Sequence, residues 1–245
     1  MRNLYDALQE HLDAVAQEVN KDQIFGVFLY GSQNYGTDLE DSDVDTKAIY
    51  IPTFEECLFK KPISKEIKLP NGEHCEIKDI REIMNNVKKQ NINFVELLFT
   101  QNYLINNSKY YLTWHKYFVD KREQIARYDV AAAIKSMTHQ ALHTLRQDRT
   151  DGKKISNTYR LVHFLERYIA NTPYLSCMVM TGAPQLLAKK LKSEKNVANE
   201  YSTILEASLV NYAEQNYSHL TNTANKKVLD EWINEGIAEM IRKNM

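Results

Sequence analysis

The sequence predicts an α+β protein: a small mixed β-sheet with helices over about residues 1–100, then a mostly α-helical part over about 101–245. Three observations carry that expectation. Residues 24–30 and 44–51 are short, apolar and aromatic-rich or β-branched, as buried strands are. Residues 65–69 and 73–78 surround Pro70-Asn71-Gly72, and Asn-Gly between alternating segments marks a hairpin. Beyond residue 100 the strand signals fade, and apolar residues recur at spacings of three and four. The seven glycines of the 245 residues, roughly 3% and under half the usual share, agree with a helix-rich chain.

In chain order, Leu4, Leu8, Leu12, Val15 and Val19 predict an amphipathic helix over 3–20. The two strands follow, flanking an acidic turn, and then the hairpin. Asp79-Ile80-Arg81-Glu82 resembles a capping box that opens a helix running to about Gln90. Helical spacing covers 92–99, 110–148, 156–170, 183–192, 197–217 and 225–243. It is broken by DRTDGKK (148–154), NTPYL (171–175) and a polar Asn/Thr stretch near 221–225. Trp114, Tyr110, Tyr111, Tyr117 and Phe118 are expected in the helical core.

Composition narrows the function classes. Thirty-one Lys+Arg against 32 Asp+Glu leave a formal charge of −1, which excludes a bulk-basic nucleic-acid coat though not a local basic patch. Cys57, Cys75 and Cys177 are odd in number and widely spaced, so neither a disulfide framework nor a zinc knuckle is indicated. No stretch reaches the ~18 apolar residues of a membrane span, and the N-terminus has no signal-peptide core. A soluble, cytoplasmic protein is expected.

The stretch FLYGSQNYGTDLEDSDVDTKAIYI, residues 28–51, carries the chemistry. It ends an apolar strand in Gly-Ser and places five acids between Asp38 and Asp45. Gly31 and Gly36 have the glycine spacing of a phosphate-binding P-loop, but Thr37-Asp38 stands where Lys-Ser/Thr must follow. Asp41, Asp43 and Asp45 begin like a calcium loop, but Thr46 replaces its turn glycine and Pro52 its bidentate glutamate. A third arrangement fits better: Gly31-Ser32 opens a helix whose free amides take a polyphosphate, while Asp43 and Asp45 reach the same place. Residues i and i+2 of a strand share a face, and two close carboxylates repel unless a cation lies between them. Magnesium takes one or two carboxylates plus substrate phosphates. The competing explanation is a solvated acidic turn.

Gly31-Ser32, Tyr35-Gly36, Ser42-Asp43 and Asp45 resemble the G-S-x-x-Y/F-G…S-D-x-D signature of the DNA polymerase β-like nucleotidyltransferase superfamily. NINFVELLF (91–99) resembles the Asn-Pro-x-x-x-Glu-Leu-Leu-Phe segment of a subgroup often encoded beside RNA ligases, with Asn93 in place of the proline. The resemblance implies a nucleotidyltransferase core followed by a helical domain that closes a nucleotide cleft. It implies transfer of a nucleoside monophosphate from a nucleoside triphosphate to a hydroxyl, with release of pyrophosphate. Two Mg²⁺ ions, for which Mn²⁺ can substitute, would be held by Asp43 and Asp45, and Gly31 and Ser32 would cradle the β/γ-phosphates. Ser32 doubles as a candidate helix cap. Gly36 would permit a tight bend with Tyr35 packed under it. An RNA end is the favoured acceptor. A protein hydroxyl, a small hydroxylated molecule, or a non-catalytic nucleotide-binding module stay open.

Members of the superfamily use a third acid from a neighbouring strand, for which Glu73, Glu76 and Asp79 compete. If Cys75 and Ile77 face the core, Glu76 is central on the opposite face and becomes the third catalytic and metal-binding carboxylate. Asp79 is better explained as a helix cap. Alternation puts Lys47 on the face of Asp43 and Asp45, where it would pair with them or contact phosphate. Residues 146–164 concentrate Arg146, Arg149, Lys153, Lys154 and Arg160. They form either a solvated loop or a source of phosphate contacts, with Lys154 (or Lys153) and Arg160 the expected ligands. His139 and His143 have the spacing of two metal ligands, but Gln140 replaces the Glu of HExxH and zinc is not expected.

Overall fold

The structure, a computed structural model, describes residues 3–221 and 223–245. Helix α1 (Leu4–Glu18) is capped by Asn3, whose Oδ1 accepts from the Tyr5 amide at 3.0 Å. It leads into β1 (Ile24–Tyr30), a four-residue helix α2 (Ser32–Tyr35) and β2 (Asp45–Tyr50). Helix α3 (Phe54–Phe59) connects to the hairpin β3 (Ser64–Lys68) and β4 (His74–Asp79). Then come α4 (Ile80–Lys88), α5 (Ile92–Val95) and β5 (Tyr103–Ile105). The rest is helical: α6 (Tyr111–Trp114), α7 (Arg122–Ala126), α8 (Val130–Gln147), α9 (Gly152–Ile169), α10 (Tyr174–Met178), α11 (Gly182–Ser193), α12 (Asn199–Glu214) and α13 (Thr223–Arg242).

The strands form one mixed sheet in the order β3-β4-β2-β1-β5, parallel only between β2 and β4. Strand β1 is apolar along its length because both faces of the sheet are covered there. On one face Val27, Ala48, Cys75 and Ile77 pack against Leu8, Leu12 and Val15 of α1. On the other, Phe25, Phe28 and Ile49 join a core that runs through α4, α6, α8 and α9 to Met240 of α13. The helices therefore rest directly on the sheet, and β5 lies beyond the boundary expected near residue 100.

The helical half is more broken than its spacing predicts. The stretch 110–148 is interrupted by a π turn at 115–119 and again before Asp129, whose Oδ1 accepts from the Ala132 amide at 3.0 Å and starts α8 anew. A short polar side chain that satisfies a free amide outcompetes an apolar pattern that continues across it. Asp79 does cap α4, accepting from the Arg81 amide at 2.8 Å. Glu82 pairs with Lys78 instead of completing a capping box. The complete box is formed by Thr53 and Glu56 at α3. Residue 222, within the expected break at 221–225, lies outside the described residues.

The loop expected at 148–154 shrinks, because α9 starts at Gly152 behind the Asp151 cap. A Cβ on Gly152 would lie 2.2 Å from the Leu191 carbonyl oxygen and 2.1 Å from that of Glu194. Only glycine lets the start of α9 press against the end of α11.

Candidate active site

Strand β1 ends where Gly31 takes φ 82°, ψ −156°, a conformation closed to other residues. A Cβ there would stand 3.1 Å from Asp45 Oδ2, so the bare glycine lets the start of α2 lie against that carboxylate. Gly31, not Ser32, holds the cap position of α2; Ser32 is its first helical residue, and its hydroxyl has no hydrogen-bond partner among the described residues. Gly36 closes α2 with φ 75°, and Tyr35 is buried beneath it. Gln185 Nε2 donates to Gly36 O at 2.8 Å and the Met180 amide to Tyr35 O at 2.9 Å, tying α2 to the helical half.

The acidic loop folds back on itself. Ser42 Oγ accepts from the Leu39 amide at 2.8 Å and from Lys192 Nζ of α11 at 3.0 Å, and Lys192 also donates to Thr37 O at 3.3 Å. Asp43 is exposed and Asp45 half-buried. Burial pushes the Asp45 carboxyl above its ordinary range and the charge of Asp43 pushes it further, while Lys153, His74 and Lys47 pull it down. This mutual repulsion is what a shared cation relieves.

Both aspartates line a cavity of about 400 Å³, within the range of small-molecule sites. Its sheet side is formed by Tyr30, Gly31, Ser32, Asp43 and Asp45. Its helical side presents Asn93, Gln140, Thr144, Lys153, Asn157, Arg160 and Lys192. Arg160 is only 6% exposed, with its guanidinium 3.7 Å from the centre of the Tyr35 ring. Its Nε and Nη1 are buried with no hydrogen-bond partner. Beneath it the Tyr35 hydroxyl donates to the fully buried Glu96, whose carboxyl burial pushes up while Tyr35 and Arg160 pull it down.

The cavity brings together Gly31, Ser32, Asp43, Asp45 and Arg160 of the expected site. It does not include Lys154, Lys47 or Glu76. On α9 the lining face is Lys153, Asn157, Arg160 and Leu161, spaced by four, three and one, so Lys153 takes the place expected for Lys154. That spacing was legible in the sequence. Lys192, Gln140 and Thr144 carried no signal of their own.

Glu76 does face the side opposite Cys75 and Ile77, but its partners are cations. Lys47 Nζ lies 3.0 Å from Glu76 Oε1, Lys78 Nζ 3.5 Å from Oε2, and the Tyr30 hydroxyl donates to Oε1 at 3.0 Å. Burial raises the Glu76 carboxyl, yet Lys47 and these bonds hold it below its usual range. Lys47 is 2% exposed and lies 3.4 Å over the Tyr30 ring. The parallel register explains the difference: β2 pairs with β4 so that Lys47 stands opposite Glu76 and Asp45 opposite His74. Glu73, the other candidate, is 8% exposed and bonded to His11, Asn71 and the Val44 amide. Among the described residues no three His, Cys, Asp or Glu side chains converge to hold an ion. Asp43 and Asp45 supply the one or two carboxylates that magnesium takes beside substrate phosphates, while Glu76 is engaged by Lys47, Lys78 and Tyr30.

Of the five cations of 146–164, Arg146 and Arg149 pair with Glu206 of α12 at 3.3 and 2.5 Å. No protein-family model matches this sequence, and no curated protein does.

Proposed function

We propose that this chain is a nucleotidyltransferase of the DNA polymerase β-like kind, moving a nucleoside monophosphate from a nucleoside triphosphate to a hydroxyl. The observation that supports it above the others is Arg160: two buried, unpartnered guanidinium nitrogens line the same cavity as Asp43 and Asp45. An unpaired buried donor is costly, and a charged one more so. A phosphate oxygen satisfies it, as the fork of an arginine is shaped to do. Lys153 and Lys192 add two cations to the same wall, so a triphosphate would lie between cations on the helical side and carboxylates on the sheet side.

The acceptor hydroxyl attacks the α-phosphorus and releases its proton to solvent, the bond from the α-phosphorus to the bridging β-phosphate oxygen breaks, and pyrophosphate leaves. A magnesium ion held by Asp43 and Asp45 would supply charge neutralisation at the reacting phosphates. Arg160, Lys153 and Lys192 would bind and orient the β/γ-phosphates, and the free hydroxyl of Ser32 would donate to a phosphate oxygen. Positioning and preset charge supply most of the acceleration in such reactions.

An RNA end is the proposed acceptor, on the strength of the residues at 91–99. A second reading, an acceptor without phosphates such as a protein hydroxyl or a small hydroxylated molecule, is favoured by two features. Asp38, Glu40, Asp41 and Asp43 edge the loop beside the cavity, and Arg146 and Arg149 are already occupied by Glu206. The test is incubation of the purified protein with α-labelled nucleoside triphosphates, Mg²⁺ and separate pools of RNA, protein and small molecules. Label in the RNA pool is expected, and label in another pool identifies the second reading. A double D43N/D45N substitution should abolish labelling. Nucleotide binding with no transfer to any pool, or label that persists in the double variant, would overturn the proposal.

A further inference from the structure

We infer that a buried hydrogen-bonded chain, Thr46–His11–Glu73–Val44, positions Asp45 by holding the residue on each side of it. Along β2 the side chains alternate, so those of Val44 and Thr46 point away from the cavity that Asp45 lines. On that hidden face Thr46 Oγ1 lies 2.7 Å from His11 Nδ1, and His11 Nε2 lies 3.1 Å from Glu73 Oε2. The other oxygen of the same carboxylate, Glu73 Oε1, accepts from the Val44 amide at 3.3 Å. Thr46 and His11 are 0% exposed and Glu73 8%. Glu73 accepts from His11 Nε2–H, and His11 Nδ1 shares the remaining hydrogen bond with the Thr46 hydroxyl, so each group in the chain is used.

The three anchors come from separate elements. His11 lies on α1, Glu73 just before β4, and Val44 with Thr46 flank Asp45 at the start of β2. Glu73 is itself held by Asn71, whose Nδ2 donates to Oε2 at 2.8 Å and whose Oδ1 accepts from the Glu73 amide at 3.0 Å. A surface turn has no use for a buried carboxylate–imidazole–hydroxyl chain behind it, because burying those groups costs free energy that a few apolar side chains would not. What the chain adds is direction. The backbone on both sides of Asp45 is fixed, so the carboxylate is held beside Gly31 and near Asp43 despite the repulsion between the two. Partners of this kind, one shell behind a ligand, typically alter metal affinity by ~10–100-fold when removed.

The inference rests on the metal-binding part of the proposed function, and its test reads metal directly. Mn²⁺ affinity is measured by electron paramagnetic resonance for the wild type, E73A, E73Q and T46V, alongside thermal unfolding, with nucleotidyl transfer recorded separately. E73A should weaken Mn²⁺ binding about 10-fold or more and lower kcat with little change in KM for the nucleotide. E73Q keeps an acceptor for the Val44 amide but turns an NH2 toward Asn71 Nδ2 and His11 Nε2, so it should recover only part of that loss. T46V removes one hydroxyl at nearly constant volume and should act in the same direction, more weakly, should E73A fail to fold. A folded E73A or T46V with wild-type Mn²⁺ affinity would overturn the inference. A wild type that binds Mn²⁺ but transfers no nucleotide sinks the transferase reading and leaves this one standing; a wild type that binds no Mn²⁺ sinks both.

Discussion

Replacing Arg160 by Met separates a binding residue from a structural one, because the two roles predict opposite signs. In the free protein two guanidinium nitrogens are buried without partners, and each such donor costs about 1–3 kcal/mol, or about 2–6 kcal/mol for the pair. Against that stand the stacking on Tyr35 at 3.7 Å, worth about 2 kcal/mol when desolvated, and the attraction to buried Glu96. R160M keeps the aliphatic bulk, so the free protein should be as stable as wild type or more so. Binding should move the other way. Two charge-assisted hydrogen bonds to phosphate, at about 1.5–3 kcal/mol each, amount to about 3–6 kcal/mol, a loss of roughly 10²–10⁴ in nucleotide affinity. R160K should recover only part of it, since an ammonium cannot make the paired contact. Calorimetric titration with a nucleoside triphosphate and Mg²⁺, paired with thermal unfolding of the free protein, reads both quantities. An R160M protein that is clearly destabilised yet binds nucleotide with wild-type affinity would refute the reasoning and make Arg160 a core residue.

Two further outcomes follow from the same geometry. The Asp45 carboxyl is raised by burial and by Asp43, so the native state holds its proton to higher pH than the unfolded chain. The wild type should lose stability as pH rises from about 4 through the native value. D45N lacks the penalty, so its thermal midpoint should exceed that of wild type at pH 7, and the gap should close toward pH 4; a gap independent of pH would count against the assignment. Gly31→Ala places a Cβ at φ 82° and 3.1 Å from Asp45 Oδ2. It should cost about 1–3 kcal/mol and lower the unfolding midpoint by about 2–4 °C per kcal/mol, and an unchanged midpoint would show that α2 adjusts freely.

What the sequence disclosed depended on how local each cause was. The first helix and the strand at 24–30 were legible because their causes, a three-four spacing and an apolar run between two covered faces, lie within the segment itself. The three-residue β5 and the six-residue α3 were not, being too short for any period to show. The sheet side of the cavity was legible for the same local reason, since Gly31, Ser32, Asp43 and Asp45 fall within fifteen residues. The helical side is assembled from α5, α8, α9 and α11 by tertiary packing. Arg160 stood out only as one of five clustered cations. Nothing local announced that Glu206 would take Arg146 and Arg149, or that Gly152 would bring α11 and Lys192 alongside α9.

Glu76 shows how an argument from alternation can be right about a face and silent about a partner. Period-two spacing placed its side chain opposite Cys75 and Ile77, where it is. The partner is set by interstrand register, and a parallel β2–β4 pairing that puts Asp45 beside His74 necessarily puts Lys47 beside Glu76. Drawing Glu76 toward the aspartates would strip Lys47, 2% exposed, of its carboxylate at 3.0 Å. Breaking a buried pair on one side costs about 3–5 kcal/mol, because the remaining charge stays buried and unpaired. The low carboxyl of Glu76 states the same preference from the other partner, since Lys47 is the largest influence holding it ionised. The proposed chemistry therefore falls to Asp43 and Asp45 with the substrate's own phosphates. The Lys47–Glu76 pair, in contact with the hydroxyl and ring of Tyr30, keeps that wall of the cavity in place.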